Sequence, residues 1–557
     1  MGRPSAQNRR DDGNRPGGTD RHDDTNQLDH TNRFEPTDRL GSSRRLSVVD
    51  EIFLRTHRGL GTPVALQGLW RTADAIDPRL LQEVHTALRT GPLGRRVIRP
   101  RVPGARRSWR PSTRAHPFDS TTEPIPTETL LDWADGRGAD LDPEFGPGWR
   151  LSAVALDDGG TLVCLTCSHA IADGRALVLA VDEALRSRAA IARPAGDEHV
   201  PPQLHQPDST PTADHSTTGP ETSRSEGGRR RSRSNTTSPA NLVTSSMQLP
   251  SSTSDSIANS TAPQAHRAEA RGGADSTPGR SDSDGSADIT GHPANSISAQ
   301  SDWADAFRQW SIVLRGTARA FRHGVPPRPM TAAADRHRTG SDATPTHSAI
   351  LQCAASDWDR AALAQGGSAN SLFIWVVANI LWATGFPRPA IDASLPVDTR
   401  DEPRVDNDLA MTEISIDRAD TPATIREKSR IAYERRMSSP GGLPEELLQV
   451  IPDRWAHALS KGAGERDILC SNIGTLPTSL RTLGPHHCIG VAARAIHPGL
   501  TTDRLPRTRL SGYLCRSADD FVLSLVSLDT TAVESSTALR DLARETAEAR
   551  HLPLTAW

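Results

Sequence analysis

Apolar residues gather in two blocks of the chain, roughly 46–195 and 300–557, and almost vanish elsewhere. In the first block a helix is predicted to begin over Glu51 to Arg55, just after Asp50, followed by a strand over Pro63 to Trp70. A helix follows from Pro78 to Leu88, where Pro78 suits the first turn and Leu80, Leu81, Val84 and Leu88 share one face. A loop at Gly91 to Gly94 closes it. Trp149 to Leu156 and Thr161 to Thr166 are apolar strands separated by Asp157-Asp158-Gly159-Gly160, which predicts a hairpin. Arg175 to Ala190 then carries Leu177, Leu179, Val181 and Leu185 on a mainly apolar helix.

The second block predicts a helix over 303–322, a strand over 348–354, a helix over 357–364, a buried helix over 370–384 and a strand over 390–396. Further alternation leads to a strand over Asp520 to Leu528 and a last helix over 533–549. The longest apolar run, Ser371 to Phe386, is shorter than the ~20 residues that span a bilayer and carries Asn379 in its middle. It predicts a core helix and no transmembrane segment. The coarse architecture is α/β, in two halves of mixed strands and helices.

Composition explains the gaps. Hydrophobic residues make up 35% of the 557, against roughly 45–50% for an ordinary globular domain. Residues 1–45 form a polar tail and 196–299 a Ser-, Thr-, Pro- and Gly-rich insert, and neither can repay the entropy of ordering. Both are expected to be disordered, flanking an N-terminal lobe (46–195) and a C-terminal lobe (300–557). The insert's basic cluster, Arg229, Arg230, Arg231 and Arg233, reads as a solvated charge run. A net charge of -3 argues against a basic nucleic-acid-binding face.

The six cysteines have no disulfide-framework spacing, and the N-terminus lacks both the apolar stretch of a secretory signal and a myristoylation motif. A cytoplasmic location is the expectation. Cys164 and Cys167 lie three apart on one strand and point to opposite faces, which argues against a shared metal, and no metal site is expected. His486-His487 has no Asp-Gly after it and reads as a polar turn behind Gly484-Pro485. Phosphate-binding glycine loops and a GxSxG elbow are absent, so nucleotide hydrolysis, hydride transfer and the serine-hydrolase route have no basis, and no cofactor is called for.

One segment carries chemistry: Ser168-His169-Ala170-Ile171-Ala172-Asp173-Gly174, between an apolar strand and a helix. A histidine presented at a strand end has an unperturbed pKa near ~6.5 and accepts a proton in its neutral form. An acid four residues on, followed by glycine, suits a tight loop that fixes the ring.

SHAIADG resembles the HHxxxDG motif of the condensation-domain, polyketide-associated acyltransferase and wax ester synthase superfamily, with Ser168 in place of the first histidine. LSVVDEIFLR is similar to the start of wax ester synthase-type enzymes, and FGPGWRLSAVAL to the strand before the motif. GGSANSLFIWVVANILW is similar to the family's buried helix, LPVDTR to its floor-loop strand, and CSNIGTLP to the SN-G segment of its alcohol acyltransferase branch.

The resemblance implies two chloramphenicol acetyltransferase-like lobes, a pseudo-dimer around a central tunnel with His169 midway along it as the base. Asp173 would be structural and pair with an arginine, for which Arg400 is the best match; otherwise Arg400 is a surface residue beside Asp398 and Asp401. Gly174 would complete the loop. Ser471 and Asn472, with Gly474 permitting close backbone approach, are candidate substrate or oxyanion donors, or else a plain turn.

The activity implied is transfer of an acyl group from acyl-CoA to an alcohol, by direct attack on the thioester without an acyl-enzyme. A condensation enzyme taking acyl or aminoacyl groups from a carrier protein in trans is the alternative, with an amine as the possible acceptor. A degenerate member that only binds a metabolite or carrier stays open because of Ser168. Peripheral lipid contact is compatible with either enzyme reading.

Overall fold

The computed structural model describes residues 44–192, 294–323, 342–434, 446–460 and 464–557. The polar tail up to residue 43 and the insert from 193 to 293, with its arginine cluster, lie outside the described residues. Arg44 and Arg45, assigned above to the tail, are part of the fold: Arg45 bridges to Ser108 and donates to the Arg106 carbonyl at 2.8 Å.

The hairpin forms where its turn residues place it. Trp149–Leu156 pairs antiparallel with Thr161–Ser168, and Gly159 (φ +87°) takes the left-handed position at the turn. Next to it, Gly160 leaves no room for a side chain: a Cβ there would lie 2.3 Å from the Thr72 carbonyl oxygen. On its other edge Thr161–Ser168 pairs with Ala65–Thr72, so this strand is central and buried along its whole length. Cys164 and Cys167 are free, buried thiols and belong to different apolar clusters, as residues on opposite faces must.

The complete sheet runs Thr482–Leu483, His486–Ile496, Ala65–Thr72, Thr161–Ser168, Trp149–Leu156, Asp119–Ile125 from edge to edge. Two of its strands therefore come from the far end of the chain. His486 and His487 are not a turn but the start of a long strand; the turn is Gly484-Pro485 alone, and His486 Nδ1 meets Asp74 Oδ2 at 2.6 Å.

A second sheet runs Thr555–Ala556, His347–Ala354, Asp520–Ser527, Leu510–Ser517, Ile468–Thr475, Ala390–Asp398, Leu409–Asp417. Behind it lies the helix Ala369–Ala383, opened by a reciprocal cap between Ser368 and Ser371 and buried from Ser371 to Ala378 and from Ile380 to Trp382. Its polar atoms are satisfied locally: Trp375 donates to the Asp420 carbonyl, Trp382 to that of Arg388, and Asn379 to that of Trp375. Each large apolar side chain buried here contributes on the order of 1.5–3 kcal/mol, which makes the helix a core element. Among the described residues no single helix is long and apolar enough to cross a membrane. This helix passes that test only together with Ala355–Ala364, from which it is bent by 84°.

The two sheets share apolar contacts, with Leu69, Val154 and Leu162 of the first in one cluster with Ile350 and Val522 of the second. The strands Asp119–Ile125, Leu409–Asp417, Ile468–Thr475 and Leu510–Ser517 and the ribbon of Arg95–Ile98 with Ser108–Pro111 go beyond the strands the pattern predicts. Most of them alternate weakly or carry Asn, Gly and charged residues, and tertiary pairing overrides local preference there. The helix predicted from 303 begins at Ala294, because nothing from 294 to 302 breaks it.

Candidate functional site

The strand Thr161–Ser168 delivers His169 into a loop, and the helix Gly174–Ala192 begins five residues later. Asp173 caps that helix, accepting from Ala176 N at 2.8 Å through Oδ1 while its carbonyl accepts from Leu177 N. Its Oδ2 accepts from Arg400 Nη2 at 2.6 Å and from Asp408 N at 3.0 Å. Three donors converging on a buried carboxyl are the set that suits a carboxylate, an acceptor only. Burial raises the Asp173 pKa; the Arg400 guanidinium and these hydrogen bonds oppose that.

Arg400 is buried, not a surface residue, and all five of its N–H groups have acceptors. Nε donates to the Arg404 carbonyl, Nη1 to Asp398 Oδ1 and the Asp408 carbonyl, Nη2 to Asp173 and the Asp406 carbonyl. The arginine thus organises residues 399–408, the connection between the strands Ala390–Asp398 and Leu409–Asp417. It also ties that connection to the His169 loop.

The same connection supplies Asn407, which the sequence reading missed. Asn407 is buried, and its Nδ2 faces the carbonyls of His169 (2.9 Å) and Ala170 (3.1 Å) and Asp50 Oδ1 (2.9 Å). The next loop carbonyl, Ile171, accepts from Arg95, which also pairs with Asp406 and lies over the Trp109 ring. Ser168 Oγ accepts from Ala170 N at 3.4 Å and the Ser168 carbonyl from Ile171 N. The hydroxyl that replaces the first motif histidine is therefore used within the loop.

The helix Val48–His57 covers the histidine. Ser47 and Asp50 cap it reciprocally, and three residues on Phe53 stacks on the His169 imidazole, centroids 3.6 Å apart and planes 14° apart. Burial raises Asp50 to about 6, against the pull of Arg95 and the Ser47 and Asn407 hydrogen bonds. His169 as a residue is half-buried with its Nδ1 fully buried, and burial lowers its pKa to about 4; its own backbone hydrogen bond and the Asn407 side chain raise it by less. The imidazole is neutral throughout the physiological range. His169 Nδ1 and Asn407 Oδ1 are each buried without a hydrogen bond of good geometry.

Gly174 is needed for close approach: a Cβ there would sit 2.8 Å from Ile473 Cδ1. Ile473 lies on Ile468–Thr475, the strand that also carries Ser471, Asn472 and Gly474, so this strand abuts the motif. CSNIG is a strand with a bulge and not a plain turn; Gly474 takes φ +83° and its N–H donates to Asn472 Oδ1 at 3.0 Å. Asn472 Nδ2 donates to Asn370 Oδ1 at 3.0 Å. The Gly474 N–H is thus used within the bulge and Asn472 Nδ2 on the helix Ala369–Ala383, while Ser471 is partly exposed on the same strand.

No family model and no curated protein sequence matches this chain. Solved structures of condensation and epimerization domains and of a polyketide synthase-associated protein match nearly all of it. The first condensation domain of the calcium-dependent antibiotic synthetase, in complex with a substrate analogue, matches at 13% identity and TM-score 0.48, covering 92% of this chain and 99% of its own. Polyketide synthase associated protein 5 from Mycobacterium tuberculosis matches at 14% identity and TM-score 0.44, over 91% and 100%. The starter condensation domain of rhizomide synthetase, in complex with C8-CoA and Leu-SNAC, matches at 10% identity and TM-score 0.45, over 91% and 93%.

Proposed function

We propose that this chain is an acyltransferase of the HHxxxDG superfamily, which moves an acyl group from acyl-CoA to an alcohol with His169 as general base. The observation that carries the reading is the loop after the strand Thr161–Ser168. Its backbone carbonyls are held by Asn407 and Arg95, its acid is locked to Arg400, and the one unpaired reactive group it presents is a neutral imidazole. A loop fixed from the second sheet's connection and from the ribbon Arg95–Ile98 holds a ring in one place, which is what proton transfer in a bound complex requires.

In the reaction, neutral His169 takes the proton of the acceptor hydroxyl as its oxygen attacks the thioester carbonyl. The tetrahedral intermediate collapses with loss of the thiolate, and the imidazolium returns its proton to that sulfur. A buried imidazolium with so depressed a pKa does not keep the proton, so base and acid roles fall in one turnover. Asp173 and Arg400 act by fixing the loop and take no part in the proton transfer. Asn407, whose side chain acts to raise the His169 pKa, would steady the imidazolium.

Incubation with acyl-CoA of several chain lengths and a panel of alcohols should give ester and free thiol in equal amounts. Release only from carrier-protein-bound thioesters would assign the donor to a carrier acting in trans. Release from neither would overturn the enzyme reading.

A further inference from the structure

We infer that the helix Ala294–His323 docks this protein on an anionic lipid surface through an exposed aromatic ridge. The helix has an inner face made of Asp302, Asp305, Ala306, Gln309 and Val313, all buried. Asp302 accepts from Arg101 N at 3.0 Å and pairs with Arg45 at 2.7 Å; Asp305 accepts from Arg106 N and its guanidinium, both at 2.8 Å. These contacts hold the helix to the body.

A second line of residues lies outside that packing, except that the inner edge of the Trp310 indole rests on Gly104. Trp303 is 65% exposed, Phe307 80%, Trp310 45% and Leu314 65%. Their spacing of four, three and four residues sets them in one row along the helix. Water is a costly environment for such a row, and contiguous exposed apolar patches of this kind mark interaction sites.

Charge identifies the partner. Between residues 301 and 318 the acids are turned inward, and the exposed ionised side chains are Arg308 and Arg315. A convex ridge of Trp, Phe and Leu flanked by arginine fits the membrane interface, where rings rest at headgroup depth and guanidinium groups meet phosphates.

The test is flotation of the full chain with vesicles of phosphatidylcholine alone or mixed with phosphatidylglycerol. Wild type should float with the anionic vesicles and bind the neutral ones on the order of tenfold less. Combined Trp303→Gln, Phe307→Gln and Leu314→Gln should lower binding to anionic vesicles by on the order of tenfold or more, with an unchanged melting temperature. Arg308→Glu with Arg315→Glu should abolish the preference for anionic vesicles. The proposal is overturned if wild type floats with neither, if the triple variant floats as wild type does, or if wild type is a dimer that the triple variant makes monomeric. None of these readings depends on acyl transfer.

Discussion

The imidazole of His169 is neutral because it is buried, and this fixes a pH signature. Its pKa lies at about 4 instead of 6.5, so the acidic limb of kcat/KM should fall near pH 4; a limb near 6.5 would contradict the burial. The linkage has the matching sign. As pH drops through 6.5 the unfolded chain takes up this proton and the folded chain does not, so stability declines from there toward pH 4. His169→Ala should remove that part of the decline. Asp173 and Arg400 fail differently: removing Arg400 leaves the buried Asp173 carboxyl without its cation, at a cost of ~3–5 kcal/mol, whereas removing Asp173 costs less because Arg400 keeps its pairing with Asp398. The double variant should be less destabilised in denaturant titrations than the two single changes summed, and strict additivity would mean the contact is not formed in solution.

Among the elements, the strand Ile468–Thr475 and the start of the helix Gly174–Ala192 meet with no space to spare. Gly174→Ala pushes against the tip of Ile473, and overpacking typically costs ~1–3 kcal/mol, less where a flexible side chain yields. Ile473→Val deletes the clashing Cδ1 and should restore most of the lost stability; failure to do so in thermal melts would place the strain elsewhere. This contact could not be read from the sequence, because the two residues are 299 positions apart and nothing local to either names the other. The motif itself was legible because it is contiguous and flanked by a strand and a helix of clear period. Arg400 came through resemblance. Asn407 was missed because DTRDEPRVDND has the composition of a solvated loop, and only the pairing of its flanking strands carries it to the His169 loop.

On the scale of the molecule, the strand His486–Ile496 lies beside Ala65–Thr72, and Arg400 and Asn407 reach from one sheet to the loop of the other. The apolar blocks of the sequence therefore do not correspond to separable sheets, which a block boundary drawn from hydropathy does not reveal. Unfolding in urea should give coincident transitions by tryptophan fluorescence and far-UV circular dichroism; two resolved transitions would show that the sheets fold independently. The central claim is that His169 is the base of an acyl transfer, and thiol release from acyl-CoA by wild type and by His169→Ala tests it most directly. The account predicts a loss of ~10²–10⁴-fold in rate with the fold intact by circular dichroism and a melting temperature lowered only by the lost Phe53 stack, and near-wild-type turnover in a folded His169→Ala protein would contradict it.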